Sequence, residues 1–136
     1  MSLRICFITP GHISSNPRLV KEVITSLANN HAVYIIFTQN LNYLNLEDQK
    51  ILDKNPRISF EIINIGYFTK IVHKILFEVI RKLGIFGLHN FVYSKSYFKF
   101  LTTAKKINAD LYIAHNLAAL PIAVQAAKKN RAKCGF

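Results

Sequence analysis

Three stretches of this chain, 3–9, 32–38 and 110–114, are almost continuously apolar. A strand covered on both faces reads this way, whereas a strand wet on one face alternates apolar with polar residues. Between the first two lies a helical pattern in which Leu19, Val20, Val23, Ile24 and Leu27 share one side, and Arg18, Lys21, Glu22 and Thr25 the other. Asn16 and Pro17 supply its start, as N-cap and first helical residue. Asn29 and Asn30 supply its end, because Asn tolerates the left-handed conformation of a helix terminus. Buried strands alternating with covering helices predict an α/β protein with a Rossmann-like, doubly wound parallel sheet and right-handed crossovers, in strand order 3-2-1-4-5.

The remaining elements fit that plan. A short helix from about 46 to 54 ends at Asn55-Pro56, since the residue before proline disfavours helix. Ser59 and Glu61 alternate with Ile58, Phe60 and Ile62, the period of an edge strand over 58–65. Residues 67–83 are helical in pattern, with Ile71, Ile75, Val79 and Leu83 expected to pack inward; Gly84 and Gly87 interrupt, and a second helical stretch runs over 89–107. A helix over 117–129 tolerates Pro121 in its first turn and places Lys128 and Lys129 at its negative end, with Asn130 as its cap. Residues 132–136 read as a fifth strand, truncated as it starts. The 136 residues make one domain, and no repeat or flexible linker divides them.

At 51% hydrophobic and 18% charged residues, the chain is too apolar for disorder, yet no uncharged apolar run is long enough to cross a membrane. Two cysteines, Cys6 and Cys134, form no disulfide framework; each is expected buried and reduced in its strand, consistent with a cytoplasmic location. A formal charge of +11 implies an anionic partner. The five histidines, His12, His31, His73, His89 and His115, are spread over separate elements, so no metal is expected. There is no glycine-rich dinucleotide fingerprint, phosphate-loop lysine or nucleophile elbow.

In the expected order, strands 1 and 4 are neighbours whose connections leave in opposite directions, which is where open α/β sheets bind ligands. The loop 10–15 and the tip His115-Asn116 therefore face one crevice. His115 ends a buried strand and has an unperturbed pKa near neutrality, so it can accept a proton; the ordinary alternative is a histidine hydrogen-bonded to backbone. Asn116 can cap a helix or hydrogen-bond a hydroxyl but cannot act as a base.

The stretch Ser15-Asn-Pro-Arg-Leu-Val-Lys-Glu22, with the later Ala-Asp-Leu-Tyr-Ile-Ala-His-Asn-Leu-Ala-Ala-Leu-Pro-Ile-Ala123, resembles the N-terminal domain of family-four, retaining, nucleotide-sugar glycosyltransferases of the GT-B fold. The resemblance follows the whole chain in element order, and its motifs are specific at those two places. It implies that 1–136 is the acceptor-side half of a two-domain transferase whose donor domain, with its acidic motif, has no counterpart here. It implies a nucleotide-sugar donor, a glycan or lipid-linked acceptor, no metal, and an isolated fragment that does not transfer sugar. His115 matches the family histidine that contacts the reacting sugar or acceptor hydroxyl, and is the catalytic candidate. Gly11 and His12 match the phosphate-approaching loop by place, although the family's glycine-rich pattern is reduced to Gly11. Asn16, Arg18 and Asn116 complete the candidate substrate-binding set, with Asn116 standing where the family often has Asp. For Arg18 and Lys21 a solvated helix face is the ordinary reading.

Two other classes compete. A non-enzymatic module could use the basic surplus to bind nucleic acid, although no RNA- or DNA-binding motif is visible; a Rossmann-like enzyme with its whole site in this chain is the second. Within 67–83, Lys70, Lys74, Arg81 and Lys82 stand among Phe68, Val72 and Phe77, the composition of a helix that settles peripherally into an anionic membrane interface on the inner face. An ordinary covering helix is the alternative.

Overall fold

In the computed structural model, which describes residues 2–83 and 96–136, the apolar stretches form a single five-stranded parallel sheet. The strands are β1 (Arg4–Ile8), β2 (Ala32–Phe37), β3 (Ile58–Ile62), β4 (Leu111–Ala114) and β5 (Lys133–Gly135), ordered 3-2-1-4-5 as expected. Helices α1 (Pro17–Ala28), α2 (Asn42–Lys54), α3 (Tyr67–Leu83), α4 (Tyr97–Lys106) and α5 (Leu120–Asn130) connect them. Gly84, Gly87, His89 and the rest of 84–95 lie outside the described residues.

Strand alternation divides the interior into two cores. Ile5 and Phe7 of β1, with Val33, Ile35 and Phe37 of β2, meet Leu19, Val23 and Leu27 of α1 and Leu52 of α2. Cys6, Ile8, Ile36, Tyr112 and Ala114 point the other way, onto Phe100 and Ala104 of α4 and Ile122, Ala123 and Ala126 of α5. This double covering explains why β1 and β2 carry so few polar residues. β1 is central: Ile8 lies opposite Ile36 of β2 and Ala114 of β4. At the amino end of that pairing the Arg4 amide donates to Asp110 Oδ2 at 2.8 Å, and the Asp110 amide to the Arg4 carbonyl at 2.8 Å.

The caps of α1 follow the sequence reading. Asn16 Oδ1 accepts from the Leu19 amide at 3.1 Å, Pro17 opens the helix, and Asn30 takes the left-handed conformation at φ 59°. Several other expectations need correction. α2 begins at Asn42, a turn earlier than expected, because the Asn40 and Leu41 amides at its entry are held by a histidine of another loop. α5 begins at Leu120 after a turn built by Asn116, and Arg131, not Asn130, is its left-handed cap at φ 53°. Asn130 instead turns its side chain to the Ile107 carbonyl and the Tyr112 hydroxyl. Cys6 is buried as expected, but Cys134 is exposed, since β5 is an edge strand. Ile24 is exposed on the flank of α1, and Ile71, Ile75 and Val79 of the expected inward stripe face outward, while Ile80 is the buried apolar residue among the described side chains of α3; that of Leu83 lies outside them. Helical periodicity identifies a stripe; it does not say which stripe meets the sheet, and here α4 and α5 already supply the helix side of the second core.

Candidate functional site

The carboxyl ends of β1 and β4 are joined where the chain leaves the sheet in opposite directions: the His115 amide donates to the Ile8 carbonyl at 2.9 Å, extending the β1–β4 ladder beyond Ala114. On the other side of β1, the Thr9 amide donates to the Ile36 carbonyl at 3.0 Å and the Thr38 hydroxyl to the Pro10 carbonyl at 3.0 Å. The loop 10–15 is thus fixed between the ends of β2 and β4, at the switch point that α/β sheets use for ligands.

His12 turns inward from this loop and is buried. Its Nδ1 lies 2.7 Å from Asp48 Oδ2, and its Nε2 accepts from the amides of Asn40 and Leu41, both at 3.0 Å. An Nε2 that accepts carries no proton, so the ring is the neutral tautomer donating from Nδ1 to the carboxylate. Asp48, fully buried in α2, also accepts at Oδ1 from the Ser14 amide at 2.8 Å and the Ser14 hydroxyl at 2.7 Å. With both ring nitrogens engaged, His12 ties the loop 10–15 to the entry of α2 and presents no free polar atom to a ligand.

His115 is also buried, 5% exposed, with its ring tilted against Phe7 at a centroid distance of 5.9 Å. Its Nε2 lies 3.2 Å from Glu22 Oε2 on α1, close enough for an ion pair but without the alignment of a hydrogen bond, and no other partner reaches it. Glu22 Oε1 in turn accepts from Arg18 Nε at 2.8 Å, one helical turn earlier. The three side chains make a chain of alternating charge character, Arg18–Glu22–His115. Burial lowers the His115 pKa below its ordinary value, the Glu22 carboxylate raises it, and the Arg18 guanidinium lowers it; burial prevails. The imidazole is accordingly held neutral at physiological pH, able to take a proton, with a carboxylate beside it to stabilise the cation that would form.

The other expected residues divide between framework and surface. Asn16 is committed to its cap. Asn116, exposed at φ 93°, accepts at Oδ1 from the amides of Ala118 at 3.1 Å and Ala119 at 3.3 Å, so it shapes the turn into α5. Gly11 has no positive φ, and a Cβ placed on it would come no nearer than 3.9 Å to another atom, Ser15 Oγ. Nothing inside the fold requires glycine there. Arg18 is largely exposed and lines, with Phe7, Lys21, Glu22, Ser26 and Ile113, an open groove of about 490 Å³ on the β4 side of α1. The switch point brings Gly11 and His115 onto adjoining strand ends, and α1 adds Arg18. Lys74 and Lys82 are exposed on α3, away from this group in sequence and element; the side chains of Lys70 and Arg81 lie outside the described ones.

Two partners of the candidate residues escaped the sequence reading. Asp48 was legible as an acid on the apolar stripe of α2 with Leu44, Ile51 and Leu52, and an acid there needs a buried donor. Glu22 carried only the signal of its four-residue spacing from Arg18. Among the described residues, no three His, Cys, Asp or Glu side chains converge as metal ligands, and no helix is long and apolar enough to cross a membrane. No protein-family model matches the chain, and no curated protein matches it significantly.

Proposed function

We propose that this domain is the acceptor-side half of a retaining, two-domain nucleotide-sugar glycosyltransferase, with His115 as the residue facing the reacting sugar or acceptor hydroxyl. The observation that carries the reading is the His115 imidazole, buried at the switch point of the sheet with the Glu22 carboxylate 3.2 Å from its Nε2. That contact lacks the alignment of a hydrogen bond, and a hydroxyl supplied by a ligand would give the buried nitrogen an aligned partner. Its lowered pKa favours the base form, and Glu22 and Arg18 complete the polar set beside it. The loop around Gly11 supports the reading as well, because a backbone position with unneeded freedom from a side chain suits close approach of a sugar or phosphate. The donor nucleotide would be held chiefly by a second domain, so the domain alone would bind it weakly.

The test is a donor panel assayed with the whole gene product and with this domain alone, following nucleotide release and product anomer by NMR. Retention by the whole protein is expected, with His115→Ala slowing turnover about a hundredfold and leaving the melting temperature little changed. Gly11→Ala should weaken donor or acceptor binding while leaving stability within about 0.5 kcal/mol. Turnover or micromolar donor affinity in the isolated domain, or His115→Ala kinetics equal to wild type, would overturn the assignment. Steeply salt-dependent binding of RNA or DNA by the same domain, without any sugar transfer, would favour a nucleic-acid module instead.

A further inference from the structure

Among the described residues, helix α3 presents to solvent an apolar surface that the two cores do not use. Ile71, Val72, Ile75 and Val79 are 39–59% exposed. At 3.6 residues per turn these four fall within an arc of about 100°, forming a ridge along the helix, while the buried Ile80 lies about 180° from Ile71. Phe77, 38% exposed, adds to the apolar surface outside that arc. The helix carries four Lys or Arg residues and one acid, Glu78. Of the cations, Lys74 is exposed on the flank of the ridge and Lys82 is exposed at its carboxyl end. A contiguous exposed apolar patch marks a binding surface more often than a scattering of single residues does.

We propose that α3 is a membrane-docking helix, lying in the plane of an anionic lipid bilayer with the ridge inserted among the acyl chains and the lysines among the headgroups. Two observations choose this occupant. The helix is 17 residues long, about 25 Å, and too rich in charge to span a bilayer, so an apolar ridge on it can meet lipid only in the interface. The chain as a whole carries +11, so an anionic surface attracts it from solution before the ridge makes contact. The proposal does not depend on any catalytic reading of the sheet.

Co-sedimentation of the whole chain with vesicles of phosphatidylcholine alone, and with about 30% phosphatidylglycerol, tests it. Binding is expected to the anionic vesicles and to fall steeply as salt rises from about 0.1 to 0.5 M. Lys74→Gln with Lys82→Gln should weaken it about thirtyfold, taking each lysine at about a factor of five. Ile75→Glu should weaken it tenfold or more, since one fully inserted apolar side chain is worth about that factor. Both sets alter exposed positions, and circular dichroism melts close to wild type will show that the fold is kept. Neutralising Lys128 and Lys129, exposed in the last turn of α5, should leave binding within about twofold, because α5 carries no exposed large apolar residue beside them. The proposal is overturned by equal binding to neutral and anionic vesicles, by no binding at low salt, or by variants of α3 that bind as wild type does. A dimer in sedimentation equilibrium that Ile75→Glu dissociates would overturn it in favour of self-association.

Discussion

Replacing Asp48 by Asn changes one oxygen to an amino group without changing side-chain shape, and the network around it leaves that group no good place. If the amide oxygen keeps Ser14, whose amide and hydroxyl lie 2.8 and 2.7 Å from Oδ1, the new NH₂ faces the His12 Nδ1–H at the position of Oδ2. Two donors then meet at 2.7 Å. Moving the His12 proton to Nε2 relieves that contact but sets an N–H against the Asn40 and Leu41 amides, which now donate to Nε2 at 3.0 Å. Turning the amide over instead confronts Ser14. Every arrangement loses a charge-assisted hydrogen bond, worth about 1.5–3 kcal/mol, and strands a buried donor at about 1–3 kcal/mol. Relief from burying a full carboxylate charge offsets part of this. The net expectation is a loss of about 3 kcal/mol, or roughly 10 °C in Tm for a domain of this size. Urea unfolding of wild type, Asp48→Asn, His12→Ala and the double variant measures it, with a His12–Asp48 coupling of at least about 1.5 kcal/mol expected. A single-variant loss under about 0.5 kcal/mol, or additive singles, would refute the account of His12 as a structural tie and return it to the candidate substrate-binding set.

The His115 ring should titrate by NMR below the ordinary histidine value, further down in Glu22→Gln, which removes the raising charge, and upward in Arg18→Ala, which removes a lowering one. Because its folded pKa is depressed, the unfolded state binds the proton first. His115 therefore contributes stability that is complete above about pH 6.5 and lost as pH falls through the folded value, a slope that His115→Gln should remove. Thiol titration of the folded chain should count one accessible cysteine, Cys134, reacting ahead of Cys6, and two after denaturation; burial raises both thiol pKa values, but only Cys6 is closed off from reagent. Two fast thiols in the native protein would contradict the second core.

Local pattern was enough to determine the strands, their parallel order and the cap of α1. Apolar runs covered on both sides, helical spacing and Asn16-Pro17 are properties of neighbouring residues, and the chain carries them whatever its tertiary contacts. His115 could be placed at the switch point for the same reason, since strand order follows from the alternation of elements and the crossover rule. What a side chain meets once it arrives is set by residues distant in sequence. His12 and Asp48 are 36 positions apart and meet because α2 folds back over the loop after β1; His115 and Glu22 are brought within 3.2 Å by the pairing of β4 with β1. The outward ridge of α3 has the same origin. Its periodicity is local, but the choice of buried side depends on what already covers the sheet, and Phe100, Ala104, Ile122, Ala123 and Ala126 of α4 and α5 hold that place. Spacing along the chain encodes which residues share a face, whereas partner and exposure are decided by competition for a finite interior, which exists only when the whole fold has formed.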